Sequence, residues 1–311
     1  MTASRQGFKE SSNIMRCQLY YVSESQHSQV ADIQALIIAH ELPIVLHLEL
    51  FTDKLSQKRR QQLSQTATQP ILLLDEKNKL SWLSDGLSVA PEWDKLQRRV
   101  VSAGRKSELL LQAVKITSDS HVIDATAGFG HDSLILASTG AQVIMIEQQP
   151  LMALLLLVEQ QRMSGLANWQ KLMSRLHIIN TDALGYFATL AADAINDTKE
   201  IDKKAVDMKA VDVVYLDPMF PEDSYQDSKT GKGAKVGKHM QALHQLASPP
   251  TLEQEEQLLQ SAQAVIRQKG QNTNIQGRVV VKRPQFAPLL AHQQPSESWH
   301  NEAVRFDGYF V

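Results

Sequence analysis

The sequence predicts an α/β protein, with a doubly wound, mostly parallel sheet in its larger C-terminal part and a small α/β domain before it. Three observations carry this. From Ser107 onward, short apolar runs rich in β-branched residues alternate with segments of helical spacing, the pattern of strand, helix and parallel strand repeated. Residues 1–105 hold fewer and weaker signals of the same two kinds. Glycine is scarce, 14 of 311 residues, yet Gly128 and Gly130 fall together, as do Gly231, Gly233 and Gly237. Average use is about 7%, so these clusters mark turns with a purpose.

Taken in order, Gln18 to Val22, Ile44 to Leu50 and Ile71 to Leu74 read as strands, and Asp75 to Lys79 as a turn. Val30, Ile33, Ile37 and Ile38 give Val30 to His40 one apolar helical face. Pro91 to Lys106, which carries Lys95, Arg98, Arg99, Arg105 and Lys106, reads as the connection between domains 1–105 and 106–311. Beyond it come a helix over Leu109 to Ile116, a strand at His121 to Asp124, and a turn into a helix over Gly128 to Ser138. A strand at Ala141 to Glu147 follows, then a helix from Pro150, where proline suits the first turn. Leu176 to Asn180 is a strand, Leu184 to Ala194 a helix and Asn196 to Lys209 a polar loop. Strands at Val211 to Leu216, Arg278 to Lys282 and Val304 to Val311, with a helix over Leu252 to Arg267, complete the pattern.

Composition narrows the function. Lys plus Arg number 32 and Asp plus Glu 34, a formal charge of -2, so there is no global cationic field and a polyanion must be met by a local patch. The single cysteine, Cys17, excludes an internal disulfide and a thiolate zinc site. The longest apolar stretch, Pro150 to Val158, is far short of the ~20 residues that cross a bilayer. The N-terminus lacks the apolar core of a secretory signal. A cytoplasmic protein with no membrane or metal partner is expected.

The first glycine cluster sits in Asp124-Ala-Thr-Ala-Gly128-Phe-Gly130-His131-Asp132, between a strand and a helix. Small residues there let a ligand approach the backbone, and the helix start offers unpaired N–H groups. Glu147 ends the next strand, close to the ~20-residue interval at which an acid meets ribose hydroxyls. Gly128-x-Gly130-x-x-Ser133 nearly completes a dinucleotide fingerprint, so NAD stays open on spacing alone. Asp124 and Asp132 weigh against it, because they would repel a pyrophosphate and attract the sulfonium and ammonium of S-adenosylmethionine. Asp182 suits the adenine amino group equally with a helix N-cap. His131 reads as a loop or cofactor-edge residue.

The strongest motif is Asp217-Pro218-Met219-Phe220-Pro221, at the end of a strand, where open α/β sheets bind ligands. It resembles the Asp/Asn-Pro-Pro-Phe/Tyr signature of enzymes that methylate exocyclic amino groups of bases. Such a nitrogen is a poor nucleophile because its lone pair is delocalised. The Asp217 carboxylate and the Pro218 carbonyl, by accepting its N–H hydrogens, would localise that pair, and Phe220 would stack on the extruded base. Lys229, Lys232, Lys235 and Lys238, interleaved with glycines, suit phosphates, and Lys282, Arg283 and Arg305 would extend that patch. A solvated loop and ordinary surface charge are the plainer alternatives.

DATAGFGHDSLILASTGAQVIMIEQQP, VVYLDPMFP, RVVVKRPQFAPLL and VRFDGYF together resemble the ribosomal RNA small subunit methyltransferase J family, from about Arg98 to the C-terminus. The resemblance implies a Rossmann-like class I methyltransferase that makes N2-methylguanosine at guanine 1516 of 16S ribosomal RNA, free or within the small ribosomal subunit, using S-adenosylmethionine. It implies cofactor contacts at His131 and Asp132, Glu147 and Gln148, Asp182 and Ala183, and Asp217. The family commonly has Arg where His131 and Gln148 stand, and shorter loops near 196–209 and 222–238. On the motifs alone, an amino-methyltransferase acting on adenine N6 or protein glutamine, a non-catalytic RNA-binding protein and an NAD-dependent oxidoreductase are the rivals.

Overall fold

The computed structural model describes residues 14–51, 55–104, 106–196, 211–220, 242, 244–267 and 276–311. They divide into two compact units, the first ending at Ser88 and the second beginning at Val89.

The smaller unit holds β1 (Met15–Tyr21), α1 (His27–Ala39), β2 (Ile44–Leu50), α2 (Gln57–Thr66), β3 (Ile71–Leu74), β4 (Leu80–Ser84) and β5 (Leu87–Val89, whose last residue belongs to the larger unit). Its sheet runs β2-β1-β3-β4-β5, with β1 parallel to both neighbours and β4 antiparallel to β3. The expected turn joins β3 to β4: Asp75 Oδ1 accepts from the Lys77 and Lys79 backbone N–H groups at 2.8 and 2.9 Å. α1 buries Val30, Ile33 and Ile37, the predicted face, but leaves Ile38 exposed.

The larger unit opens with a 3-10 turn at Trp93–Leu96 and α3 (Gln97–Ser102). The boundary between the units therefore falls ahead of the expected one at 105, because Trp93 is wholly buried in the larger unit. Its indole N–H donates to the Phe129 carbonyl at 2.8 Å and its backbone N–H to the buried Glu159 at 3.0 Å. Next are α4 (Leu109–Val114), β6 (His121–Asp124), α5 (His131–Ser138), β7 (Gln142–Glu147), α6 (Pro150–Ser164), α7 (Gln170–Met173), β8 (Leu176–Asn180) and α8 (Ala183–Asn196). After them stand β9 (Val213–Leu216), α9 (Leu252–Arg267), β10 (Arg278–Pro284), β11 (Glu297–His300) and β12 (Val304–Phe310). α4 stops before the predicted Ile116 because Lys115 turns left-handed at φ 51.

The seven strands lie in the order β11-β12-β10-β9-β6-β7-β8. β8, β7, β6, β9 and β10 are parallel, and β12 and β11 close the sheet antiparallel. Strand residues alternate between two buried faces, which is why these strands read as continuous apolar runs. On one face Ile144, Ile146, Val214, Leu216, Val279 and Val281 pack with Phe187 of α8 and Leu259, Ala262 and Ile266 of α9. α6 is buried along Leu151 to Glu159, and no described helix is long and apolar enough to cross a membrane. This winding sets the carboxyl ends of five parallel strands along one crevice.

Candidate active site

Each of those strand ends delivers a charged or polar group. A cavity of about 270 Å³ opens at them, lined by Thr126 and Gly128 after β6, Glu147 and Gln148 after β7, and Thr181, Asp182 and Ala183 after β8. Asp217, Pro218 and Met219 after β9 form another wall, and Leu246, Ser248, Pro250, Gln254 and Leu258 the last.

Glu147 joins two of these walls. Its Oε2 accepts from the Gly128 N–H at 3.0 Å and its Oε1 from the Gln149 N–H at 2.7 Å. Burial pushes its carboxyl up to about 7 against the pull of those two N–H groups. Each oxygen keeps a second lone pair for a ligand hydroxyl. Asp182 caps α8, its Oδ1 accepting from the Gly185 N–H at 2.7 Å, and also lines the cavity.

The two glycines part company. Gly128, at φ 52, lies on the cavity wall. Gly130, at φ 71, does not: a Cβ there would come within 2.7 Å of Met145 Cε and 2.9 Å of Trp93 Cζ2. It is a packing glycine rather than the cofactor neighbour expected of it. Asp124 is a second correction. Its carboxylate is buried beneath the turn, where it accepts from Ser133 Oγ at 2.5 Å and the Thr126 N–H at 3.2 Å, and burial pushes it up to about 7. It holds the turn and does not line the cavity.

Asp132 and Asp217 meet across one cation. Lys282 Nζ donates to Asp132 Oδ2 at 2.7 Å and to Asp217 Oδ2 at 2.9 Å. Register explains the meeting, since Leu216 of β9 pairs with Val281 of β10 and the next residues are Asp217 and Lys282. Asp132 also accepts from the Tyr215 hydroxyl at 2.8 Å and lies 3.8 Å from Arg99. Burial alone would raise the Asp132 carboxyl, but Lys282, Tyr215 and Arg99 hold it down at about 2. Asp217, held chiefly by Lys282, is raised by burial despite that ammonium. The two acids share Lys282 unequally because Asp132 has the additional donors. The Asp217 backbone is anchored as well, its N–H donating to Thr126 Oγ1 at 2.6 Å.

Other expected site residues take different places. Lys282 is not part of an outer basic patch, because both its bonds run inward to carboxylates. Arg283 is 3% exposed and pairs with Glu255 at 2.6 Å. Arg305 donates to Asp307 at 2.9 Å and to the Gln285 and Ala287 carbonyls. Phe220 is buried beneath the Arg283 guanidinium, 4.8 Å from its ring centroid, so it packs the loop instead of offering a face to a base. His131 turns away from the cavity, its Nε2 2.7 Å from the Pro91 carbonyl oxygen and its ring stacked on Phe129. Lys229, Lys232, Lys235 and Lys238 lie outside the described residues.

Sequence reasoning missed Thr126, Tyr215, Arg99 and the inward role of Lys282. Only strand register could have found Lys282, and Thr126 sat unremarked inside the glycine motif. An acidic cavity of this size, with Glu147 placed for paired hydroxyls and no cation on its wall among the described residues, fits a cationic nucleoside cofactor.

Comparison with known proteins agrees. A family model described as a putative SAM-dependent methyltransferase matches residues 49–311. The ribosomal RNA small subunit methyltransferase J of Psychrobacter cryohalolentis is 77% identical over 95% of this chain and 96% of its own. The protein of that name from Acinetobacter baylyi is 38% identical over 74% of this chain and 77% of its own. Among solved structures, a SAM-dependent methyltransferase from Neisseria gonorrhoeae shares the fold, with a TM-score of 0.60 at 24% identity over 94% of this chain and 95% of that one. On the family model, the high identity and the strand-end site together, the chain belongs to the ribosomal RNA small subunit methyltransferase J family of S-adenosylmethionine-dependent methyltransferases.

Proposed function

We propose that the protein methylates the exocyclic N2 of a guanine in 16S ribosomal RNA, in the cytoplasm. The observation that carries this reading is the placement of Asp217 and Pro218 on the wall of the acidic cavity, with Glu147 on the facing strand end. The substrate class is supported by what the relatives are named for.

S-adenosylmethionine supplies an electrophilic methyl group carried on a sulfonium. Glu147 accepts from the ribose hydroxyls, while Asp182 and Ala183 border the adenine. The carboxylates of the wall make the cavity favourable to the cofactor's positive charge. Asp217, with one oxygen committed to Lys282, turns its other oxygen to an N–H of the guanine amino group, and the Pro218 carbonyl takes the second. Both acceptors draw the nitrogen lone pair out of conjugation and orient it. Thr126 fixes the main chain of Asp217 so that this acceptor pair is preorganised. With Lys282, Arg283 and Arg305 committed internally, attraction for the RNA backbone falls to Lys229, Lys232, Lys235 and Lys238.

The test is nucleotide mapping of 16S RNA from a strain lacking this gene. One N2-methylguanosine should be missing and should return when its small subunits are incubated with the purified protein and S-adenosylmethionine. An unchanged modification map overturns the reading.

A further inference from the structure

We propose that Lys282 is a positioning residue of the methyl transfer: by sharing its ammonium between Asp132 and Asp217, it keeps the Asp217 carboxylate charged and directed as an acceptor for the substrate amino group. This rests on the reading above, in which Asp217 receives an N–H of the base. Nothing in the sequence motifs or in the family names gives Lys282 a part in the reaction.

The physical basis is electrostatic. Both Asp132 Oδ2 and Asp217 Oδ2 lie within hydrogen-bond distance of one nitrogen, so the two carboxylates are close enough for the charge of Asp132 to favour the protonated form of Asp217. A protonated Asp217 carries a donor where the reaction needs an acceptor. Asp132 has Tyr215 and Arg99 to keep it charged without Lys282, whereas Asp217 has no other cation within 4 Å among the described residues. Removal of the ammonium therefore falls on Asp217. A half-buried lysine in this position also holds the side chain by a directional bond, which leaves one Asp217 oxygen for the cavity.

The charged and titratable groups around the centre come from several elements. Arg99 of α3 is paired with Glu108 and remains cationic at all working pH values. Tyr215 of β9 is raised well above its ordinary value by burial and the nearby carboxylates, and stays neutral. Arg283, next along β10, adds a weaker positive influence on Asp217. His131 is lowered by burial, and Asp124, at the end of β6, and Glu147, at the end of β7, are each raised to about 7 by burial.

The experiment follows kcat/KM for the RNA from about pH 5.5 to 9 at saturating S-adenosylmethionine, with small subunits from the strain lacking the gene as substrate. Lys282→Met is expected to move the acid limb upward by at least one pH unit, so that the rate below both limbs falls about tenfold more than the rate on the plateau. Lys282→Gln, which keeps a donor without the charge, is expected to do the same and carries the test if Lys282→Met does not fold. Lys282→Arg is expected to keep the limb near that of the wild type. The same comparison in an Asp124→Asn background removes one of the two other carboxyls raised to about 7, and saturating S-adenosylmethionine keeps the second, Glu147, on the cofactor throughout. A loss uniform across pH, with the limb unmoved in both neutral variants, overturns the proposal. An inactive wild type on these subunits instead defeats the functional reading, and the proposal falls with it.

Discussion

Two carboxylates, Asp124 and Asp217, stand at the ends of neighbouring strands of the same sheet, the first buried and the second half-buried, and they are held in opposite ways. Among the described residues Asp124 receives only neutral donors, the Ser133 hydroxyl and the Thr126 N–H, and it does not line the cavity. Asp217 receives an ammonium and leaves part of its side chain on the cavity wall. Neutral donors satisfy the hydrogen-bonding capacity of a buried acid without compensating its charge, so such an acid rises toward neutrality and serves as a structural tie. A shared cation keeps its acid available for chemistry. The difference teaches that a run of acids along a crevice is not one site: the partner each acid finds decides its work.

The sharpest way to break this comparison is to remove the working acid. Asp217→Ala should lower kcat by on the order of 10²–10³, the loss typical of one preorganised transition-state group, while far-ultraviolet dichroism stays unchanged. Turnover within tenfold of the wild type would refute the role.

Glu147 stands between the two cases, since it is raised to about 7 like Asp124 but faces the cavity. Its loss should weaken S-adenosylmethionine binding about tenfold or more in Glu147→Gln, read by calorimetry at pH 8, as expected for hydrogen bonds to a charged group at ~1.5–3 kcal/mol. The sign with pH follows. Below about 7 the carboxyl is protonated and loses an acceptor, so wild-type affinity should fall from pH 8 to pH 6 while Glu147→Gln stays flat.

The basic side chains divide in the same manner. Neutralising Lys232, Lys235 and Lys238 together should weaken RNA binding severalfold and lower the slope of log affinity against log salt by about 2, near 0.7 for each phosphate that is no longer neutralised. An unchanged slope would make that loop ordinary solvated chain.

The smallest effect is expected at Asp124. Because its folded carboxyl is raised above the unfolded value of 3.8, the fold favours the protonated form, and stability declines as pH rises from about 4 to about 7. Asp124→Asn removes the charge, keeps the Thr126 N–H bond and reverses the Ser133 bond, its amide N–H donating to the hydroxyl. It should be within about 1 kcal/mol of the wild type at pH 8, measured by urea unfolding, with the Asp124 share of the decline removed. A loss of activity comparable to that of Asp217→Ala would erase the distinction between the two acids.

The parallel strands were legible because burial on both faces writes them as unbroken apolar runs, and the strand-end rule pointed to Glu147 and Asp217, which line the cavity. β11 was not legible: Glu-Ser-Trp-His is a short polar strand that, among the described residues, pairs with β12 alone. β4 was hidden for a related reason, its alternation being brief and interrupted by serines. Within the site, residues that act through their own motif were readable, and those that act through a neighbouring strand were not. Lys282 looked like surface charge until the register of β10 on β9 brought it against Asp217. Phe220 looked available for stacking until Arg283, one residue further along the same strand, covered its ring.

Trp93 carries a practical consequence. It wedges beneath Gly130, whose missing side chain makes the room, and bonds to the Phe129 carbonyl of the cofactor turn. A shortened protein begun at Ser107, where the regular alternation starts, would leave a hole the size of an indole under that turn and a buried Glu159 with one donor fewer. One begun at Val89 would keep the wedge in place. The segment that reads as a tether is thus the keel of the methyltransferase half, and any division of this gene into working parts must leave it with the enzyme.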